Sequence, residues 1–459
     1  MSLTTGTIHF TDKKDTYISN SLMRELNIDE TKPIKLKLGE KRIKTKIKRV
    51  RKKGKHLFIP KSIQQALKLP RKGQSYISLN QDDEIELGPL IGILSLIHQR
   101  TLHLPFGKRT YRIKEYLKGG SNKAFYFAFG LSDINWTDET VTAYFIDSRN
   151  QWKKKVVPLP DVIYNQLKSR SSHKTKSMQM LLDHFKKHNK SIFNWGFFDK
   201  GEMYQLLDGT LEAQNHLPET HISTSSQEIK KMLEKHQFIY LKPTRGSFGR
   251  GISRITYHPK NGYFIRFRKI NKNHLLRFTN FSSLMKFINQ RKTHKNYVIQ
   301  QGIRLIEIDK HPIDFRLHLN KNGQNEWVVA GDAAKKAGRG NVTTHVEMGG
   351  QVMNSLDTLE QVFTSSQSQE IYENAKRTTI QLAEAIERKL PYLVGELGFD
   401  IGIDKQGKIW MIEVNSKPGR SIFKHPSLKT QSSDQLRYIF DYCFYLSNQR
   451  NTRREVNRI

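Results

Sequence analysis

The chain has 459 residues, of which 78 are Lys or Arg and 43 are Asp or Glu, for a formal net charge of +35. A hydrophobic share of 36%, with 24 Phe, 17 Tyr and 5 Trp, excludes a mainly disordered chain and supplies core for two to four domains, at roughly 150 residues each. The single cysteine, Cys443, excludes an internal disulfide framework and a Cys-cluster zinc site.

The first residues, Met1 to Lys14, lack the apolar stretch of a signal peptide. The most apolar run, Gly88 to Ile97, is far short of the roughly 20 residues that span a bilayer. These features predict a soluble protein made in the cytoplasm. The charge excess predicts attraction to polyanions such as nucleic acid or other anionic polymers.

Residues 1–87 read as a basic, β-rich domain. Lys32 to Lys55 holds thirteen Lys or Arg and one acid, Glu40. Ile34-Lys35-Leu36-Lys37-Leu38 alternates apolar and basic residues, the period of a strand with one buried and one cationic face. That face reads either as a solvated edge whose lysines discourage pairing or as a polyanion-binding surface. Tyr17 to Ile28 resembles Phe58 to Leu69, with Ser21 matching Ser62 and Leu26 matching Leu67. Two such copies, each a short helix followed by a strand, predict a small pseudo-symmetric β-barrel.

Residues 88–215 read as an α/β domain. Gly88 to Leu94 reads as a buried strand entered by a turn, further strands are predicted at 124–129, 141–146 and 162–164, and a helix over 177–185, so a mostly parallel sheet is expected. From 216 to about 450 the pattern changes again. Ser225 to Glu228 is a capping box that opens a helix ending near His236, followed by a strand at 238–243. Helices are predicted over 366–388 and 435–447, and the Arg-rich tail from Gln449 is expected to fray.

Three segments carry chemistry. Lys242 ends a strand and is followed by Gly246, Ser247, Gly249 and Gly251, a loop whose N–H groups can approach a polyphosphate. No Gly-Lys-Ser/Thr follows, so the loop is neither a Walker A sequence nor a dinucleotide fingerprint; a plain turn is the alternative. Val298 to Ile303 reads as a strand whose backbone and whose Gln300 and Gln301 could meet a base edge. Downstream, Arg316 lies in an apolar strand and needs an anionic partner, with Asp314 the simple choice. Residues 334–350 read as a long functional loop. Finally, strands at 399–403 and 409–414 form a hairpin around Lys405-Gln406-Gly407. It would turn Asp400 and Glu413 into one cavity with Asn415, a hard-oxygen set suited to Mg²⁺ and phosphates. The alternative is a pair of exposed acids on an edge hairpin.

The order of these segments, closing with Glu413-Val414-Asn415 and Lys417-Pro418-Gly419, resembles the ATP-grasp signature. With Pro158 to Asn165 and His216 to Thr220, it is similar to the YheC/YheD family of endospore coat-associated ATP-grasp proteins. The resemblance implies an α+β and α/β multidomain chain: the β-rich domain, an α/β pre-grasp domain, and a C-terminal ATP-grasp module over 216–450. It implies ATP and Mg²⁺ as cofactors, with Lys242 and Lys200 on phosphates, Gln300, Gln301 and Ile303 at the adenine hinge, and Arg316 near the γ-phosphate. Asp400, Glu413 and Asn415 match the Mg²⁺ set. His345 stands where such proteins usually carry Asn. The implied activity is a carboxylate–amine ligase acting through an acylphosphate, with unidentified acid and amine substrates, in the cytoplasm or at the spore coat. Two other readings stand beside it: a coat protein that binds nucleotide without turnover and holds a polyanion or coat component, and a nucleic-acid binder using the basic block.

Overall fold

The computed structural model describes all residues except 1, 30, 99–102, 121–122, 223–224, 246–250, 271, 292–295, 339–349 and 457–459. They form two compact units. One comprises Met1–Trp195, Asn322–Asn325 and Leu436–Ile459; the other comprises Gly196–Lys321 and Glu326–Gln435.

The first unit holds two sheets whose buried residues form one continuous core running from Ile8 to Phe185. The N-terminal sheet has eight strands, and the internal repeat is visible in it. Helices Asn20–Leu26 and Lys61–Leu67 end on Asn27 and Lys68, both left-handed with φ of 53° and 56°. Each helix is also entered from a strand, Thr16–Ser19 or His56–Pro60, and those strands pair with Tyr17 opposite Phe58. The repeat equates these same two residues, so it is an approximate two-fold relation in space.

The cationic face expected on Ile34–Leu38 is corrected in part. Lys37 is only 4% exposed. It is ion-paired with Glu86 and stands 3.5 Å from Glu84, because strand Glu84–Leu87 pairs in parallel alongside. Glu84 also takes Arg42 at 2.8 Å. The second sheet has a parallel core, Phe125–Phe129, Leu90–Leu94, Val162–Asn165 and Ser191–Phe193. An antiparallel ribbon, Thr140–Ile146 with Trp152–Pro158, borders it. The strand Trp152–Pro158 escaped prediction because Lys153, Lys154 and Lys155 break its apolar pattern.

The second unit contains two antiparallel sheets. The first has the order Thr220–His221, Tyr297–Gln301, Phe238–Pro243, Ser253–His258, Gly262–Lys269 and Lys272–Phe278. Helices Ser226–His236 and Phe281–Arg291 share its core. The second sheet runs Gln351–Met353, Trp327–Lys336, His311–Lys321, Glu396–Ile403 and Ile409–Asn415. The 25-residue helix Ser365–Lys389 buries Leu382, Ala383 and Ile386 in the same core as that sheet. Helix Lys200–Leu207 packs here as well, its Tyr204 hydroxyl donating to the carbonyl of Ile412 at 2.6 Å. Residues 196–215 thus lie in this unit, whereas a boundary at 215 was expected.

Two expectations on secondary structure are revised. Ala334, Lys335 and Lys336 belong to strand Trp327–Lys336, not to a loop, because they pair with Ile313, Asp314 and Phe315 across the sheet. The C-terminal helix extends over Lys429–Val456, so its described part continues past Gln449.

Candidate functional site

The two sheets of the second unit contribute to one cleft, with about 810 Å³ of unfilled space including its mouth. The hairpin turn at 404–407 explains one wall. Asp404 accepts from the N–H groups of Gln406 and Lys408 at 3.0 Å each. That tight turn sets the register as far as Ile401 opposite Met411, and a bulge beyond it brings Asp400 opposite Glu413. Both carboxylates line the cleft.

Cations meet both acids. Lys335 Nζ is 2.8 Å from Asp400 and 2.9 Å from Asp314. Arg316 is 3.0 Å from the other oxygen of Asp400, and Lys200 is 3.1 Å from Glu413. The partner expected for Arg316, Asp314, is corrected. Side chains two apart on one strand point the same way but stand further off than residues directly opposite on a neighbouring strand. Asp400 is that opposite residue, and Asp314 is taken by Lys335. Burial by itself would lower the Lys335 ammonium, but Asp314 and Asp400 outweigh it and hold it above the ordinary lysine value.

Lys242 reaches the cleft from the first sheet and is 7% exposed. Burial lowers it to about 8, against the pull of Glu413. Its ammonium donates to Gln300 Oε1 and stands 5.5 Å over the ring of Tyr240. Lys200 is the first residue of its helix, whose cap is the Asp199 carboxylate accepting from Gly201 N–H at 3.0 Å.

The hinge differs from expectation in its side chains. Gln300 is 2% exposed, and its amide donates to Thr220 Oγ1 at 3.1 Å while its oxygen accepts from Lys242. The Gln301 oxygen accepts from Glu219 N–H at 3.0 Å. Both amides therefore brace strand Tyr297–Gln301, and Gln300, Gln301 and the apolar side chain of Ile303 line the cleft. Asn415 lies opposite Gly398 at the end of its strand, two residues beyond Glu413. Gly251 is described, with a left-handed φ of 78°, and lies next to Ile252, which lines the cleft. Gly246, Ser247, Gly249 and His345 lie outside the described residues.

Sequence reasoning missed Lys335, Tyr240 and Tyr204. Only the register of Trp327–Lys336 against His311–Lys321 shows that Lys335 points at Asp314 and not at solvent. Near the hinge, Glu219 accepts from Lys235 at 2.7 Å, and its carboxylate also meets His236 and His221. Burial would raise Glu219, but these three hydrogen bonds outweigh it and hold it at about 2.

Residues 189–446 match the family described as YheC/D like ATP-grasp. The endospore coat-associated protein YheD of Bacillus subtilis (strain 168) is 32% identical over 402 residues, covering 85% of this chain and 85% of its own. The endospore coat-associated protein YheC of the same organism is 26% identical over 305 residues, covering 64% of this chain and 82% of its own. The D-alanine-D-alanine ligase from Coxiella burnetii aligns in structure with a TM-score of 0.44 at 10% identity, covering 81% of this chain and 97% of that one. The family match spans more than half of the chain, and the likeness to YheD extends over most of it. The chain belongs to the YheC/D-like ATP-grasp family.

Proposed function

We propose that this YheC/D-family chain binds ATP with Mg²⁺ in the cleft and uses it to join a carboxylate to an amine. The single observation that carries this reading is the pairing of Asp400 with Glu413, two hard-oxygen carboxylates ringed by Lys242, Lys335, Arg316 and Lys200. Asp400 and Glu413 are the residues that would hold Mg²⁺, with Asn415 at the strand end. When bound, the ion would neutralise charge on the phosphate oxygens.

Lys242 and Lys200 would bind and orient the triphosphate. The backbone at Gln301–Ile303 would take the adenine edge. Arg316 would stabilise the charge on the migrating phosphoryl group. An acceptor carboxylate oxygen would bond to the γ-phosphorus as the bond to the β-phosphate oxygen breaks, releasing ADP. The amine would then attack the acyl carbon, phosphate would leave with the bonding pair, and the amine would lose a proton. The names of the two relatives support association with the endospore coat.

A second reading rests on a separate observation. Lys44, Lys46, Lys48, Arg49, Arg51, Lys52 and Lys53 are exposed along one basic stretch, which supports a nucleotide-binding coat protein that holds an anionic polymer without turnover.

Calorimetry with Mg·ATP on the wild type and Glu413→Ala is the test, followed by phosphate release with sets of acids and amines. Micromolar binding that the substitution abolishes, with release that depends on both acceptors, is the expected result. A folded wild type that binds no nucleotide overturns both readings. Binding without acceptor-dependent release leaves the second.

A further inference from the structure

Away from the cleft, within the first unit, three side chains with metal-ligating atoms converge. His184 lies in the last turn of helix Lys176–Lys187, and His188 caps that helix one turn further on. Their rings stack with centroids 4.4 Å apart and planes at 28°. Glu139 comes from the turn before strand Thr140–Ile146, where its left-handed φ of 51° points the chain back toward the helix end. One ligand atom from each of the three lies within 4.8 Å of the others.

We propose that Glu139, His184 and His188 form a site for a divalent transition metal, with Zn²⁺ as the fitting ion. Two imidazoles and one carboxylate are a donor set that zinc takes readily, with a fourth position for water. Ligand atoms about a tetrahedral zinc stand roughly 3.3 Å apart, given bonds of about 2.0–2.1 Å. The separation of His184 Nδ1 from Glu139 Oε1 is 3.9 Å, too long for a hydrogen bond and short enough to close by side-chain rotation. His184 Nε2 is buried with no hydrogen-bond partner among the described residues. A half-turn of the ring exchanges its edges, so either nitrogen can face the ion.

The surroundings favour rigidity at one edge and access at the other. Trp136 stands 5.9 Å from the His184 ring, whereas the Glu139 side chain is 47% exposed. The nearby cation Lys190 is already engaged, 3.6 Å from Glu40 and donating to the carbonyls of Leu159 and Pro160. A bound ion would staple the turn at Glu139 to the end of the helix.

Full-length protein titrated with Zn²⁺ by calorimetry, and with Co²⁺ by visible absorption, tests the proposal. The wild type is expected to bind one equivalent and to show the intense d–d bands of tetrahedral Co²⁺. His188→Ala should abolish both signals, and Glu139→Gln should weaken Zn²⁺ binding by roughly tenfold or more. Glu413→Ala, which removes a carboxylate of the cleft, should leave both signals in place. Absence of binding by the wild type overturns the site. So does binding that His188→Ala spares or that Glu413→Ala removes. Circular dichroism matching the wild type shows that each variant has folded.

Discussion

Asp400 and Glu413 face each other across two antiparallel strands, and neither stands without a cation: Lys335 and Arg316 hold the first, Lys200 the second. Two carboxylates this close repel each other unless positive charge stands between or beside them. Without nucleotide, the chain's own side chains supply it. Binding of a metal–phosphate complex would rearrange these pairs, giving each lysine and the arginine a phosphate oxygen in exchange for a carboxylate.

The first prediction concerns Lys335, 5% exposed between Asp314 and Asp400. Lys335→Met removes the ammonium that Asp314 and Asp400 share and leaves Arg316 as the cation beside Asp400. A stability loss of about 3–5 kcal/mol is expected by urea unfolding. Millimolar Mg²⁺ should restore more stability to this variant than it adds to the wild type. A loss below about 1 kcal/mol would show that Lys335 is not the counter-ion of this pair.

Under the proposed function, substitution of Arg316 is expected to separate binding from chemistry. Its guanidinium holds Asp400 at 3.0 Å and the Gly398 carbonyl at 3.2 Å. Arg316→Lys keeps a charge but loses the planar fork. Nucleotide affinity is expected to change several-fold at most, while acceptor-dependent phosphate release falls by roughly a hundredfold or more. Equal losses in both would assign Arg316 to ground-state binding.

Lys242 makes the cleft sensitive to alkaline pH. Its folded value of about 8 lies below the unfolded lysine value, so between the two the unfolded chain binds more protons. Stability attributable to this group therefore rises from pH 8 toward the ordinary lysine range. The effect is absent in Lys242→Met. Nucleotide affinity moves the other way, falling above pH 8 as the ammonium is lost. Calorimetry at pH 7 and pH 9 on the wild type and Lys242→Arg checks this, since the arginine keeps its charge at both.

Glu219 acts at acid pH. Its folded value of about 2 is below the unfolded carboxylate value, so its contribution is complete above the latter and is lost as pH falls through 2. Glu219→Gln should flatten the stability profile over that window. An unchanged slope in urea melts would mean that its contacts to Lys235, His221 and His236 are not maintained in solution.

Gly302 lets the chain leave strand Tyr297–Gln301 directly against Phe238. Its N–H donates to the Phe238 carbonyl at 3.0 Å, and a methyl group placed on it would stand 2.0 Å from the Phe238 ring. Gly302→Ala is expected to cost about 1–3 kcal/mol by overpacking and to lower nucleotide affinity. Thermal melting and calorimetry read the two effects separately.

Much of the second unit was legible because its elements are strongly patterned. Phe238–Pro243 lies where the apolar run placed it, and Ser225 Oγ accepts from Glu228 N–H as its sequence position suggested. The hairpin carrying Asp400 and Glu413 follows from two alternating runs around a Gly-containing turn. Lys335 was not legible. It follows Asp332, Ala333 and Ala334 in a strand whose every position from Ala330 to Lys335 is buried, so alternation carries no signal for it. Gln300 and Gln301 were visible as polar residues in a strand, but their bonds to Thr220 and Glu219 join positions about 80 residues away.

The local elements, the acid-bearing hairpin and the order of motifs could be read from the order of the residues. These depend on periodicity, turn chemistry and spacing along the chain. Tertiary structure alone decided which charge answers which: Arg316 to Asp400, Lys335 to both Asp314 and Asp400, Lys37 to Glu86, and the meeting of Glu139 with His184 and His188. The reason is strand register. Side chains cross-strand from each other come within a few ångströms, whatever their separation in sequence, and nothing local in the chain specifies which strand lies alongside.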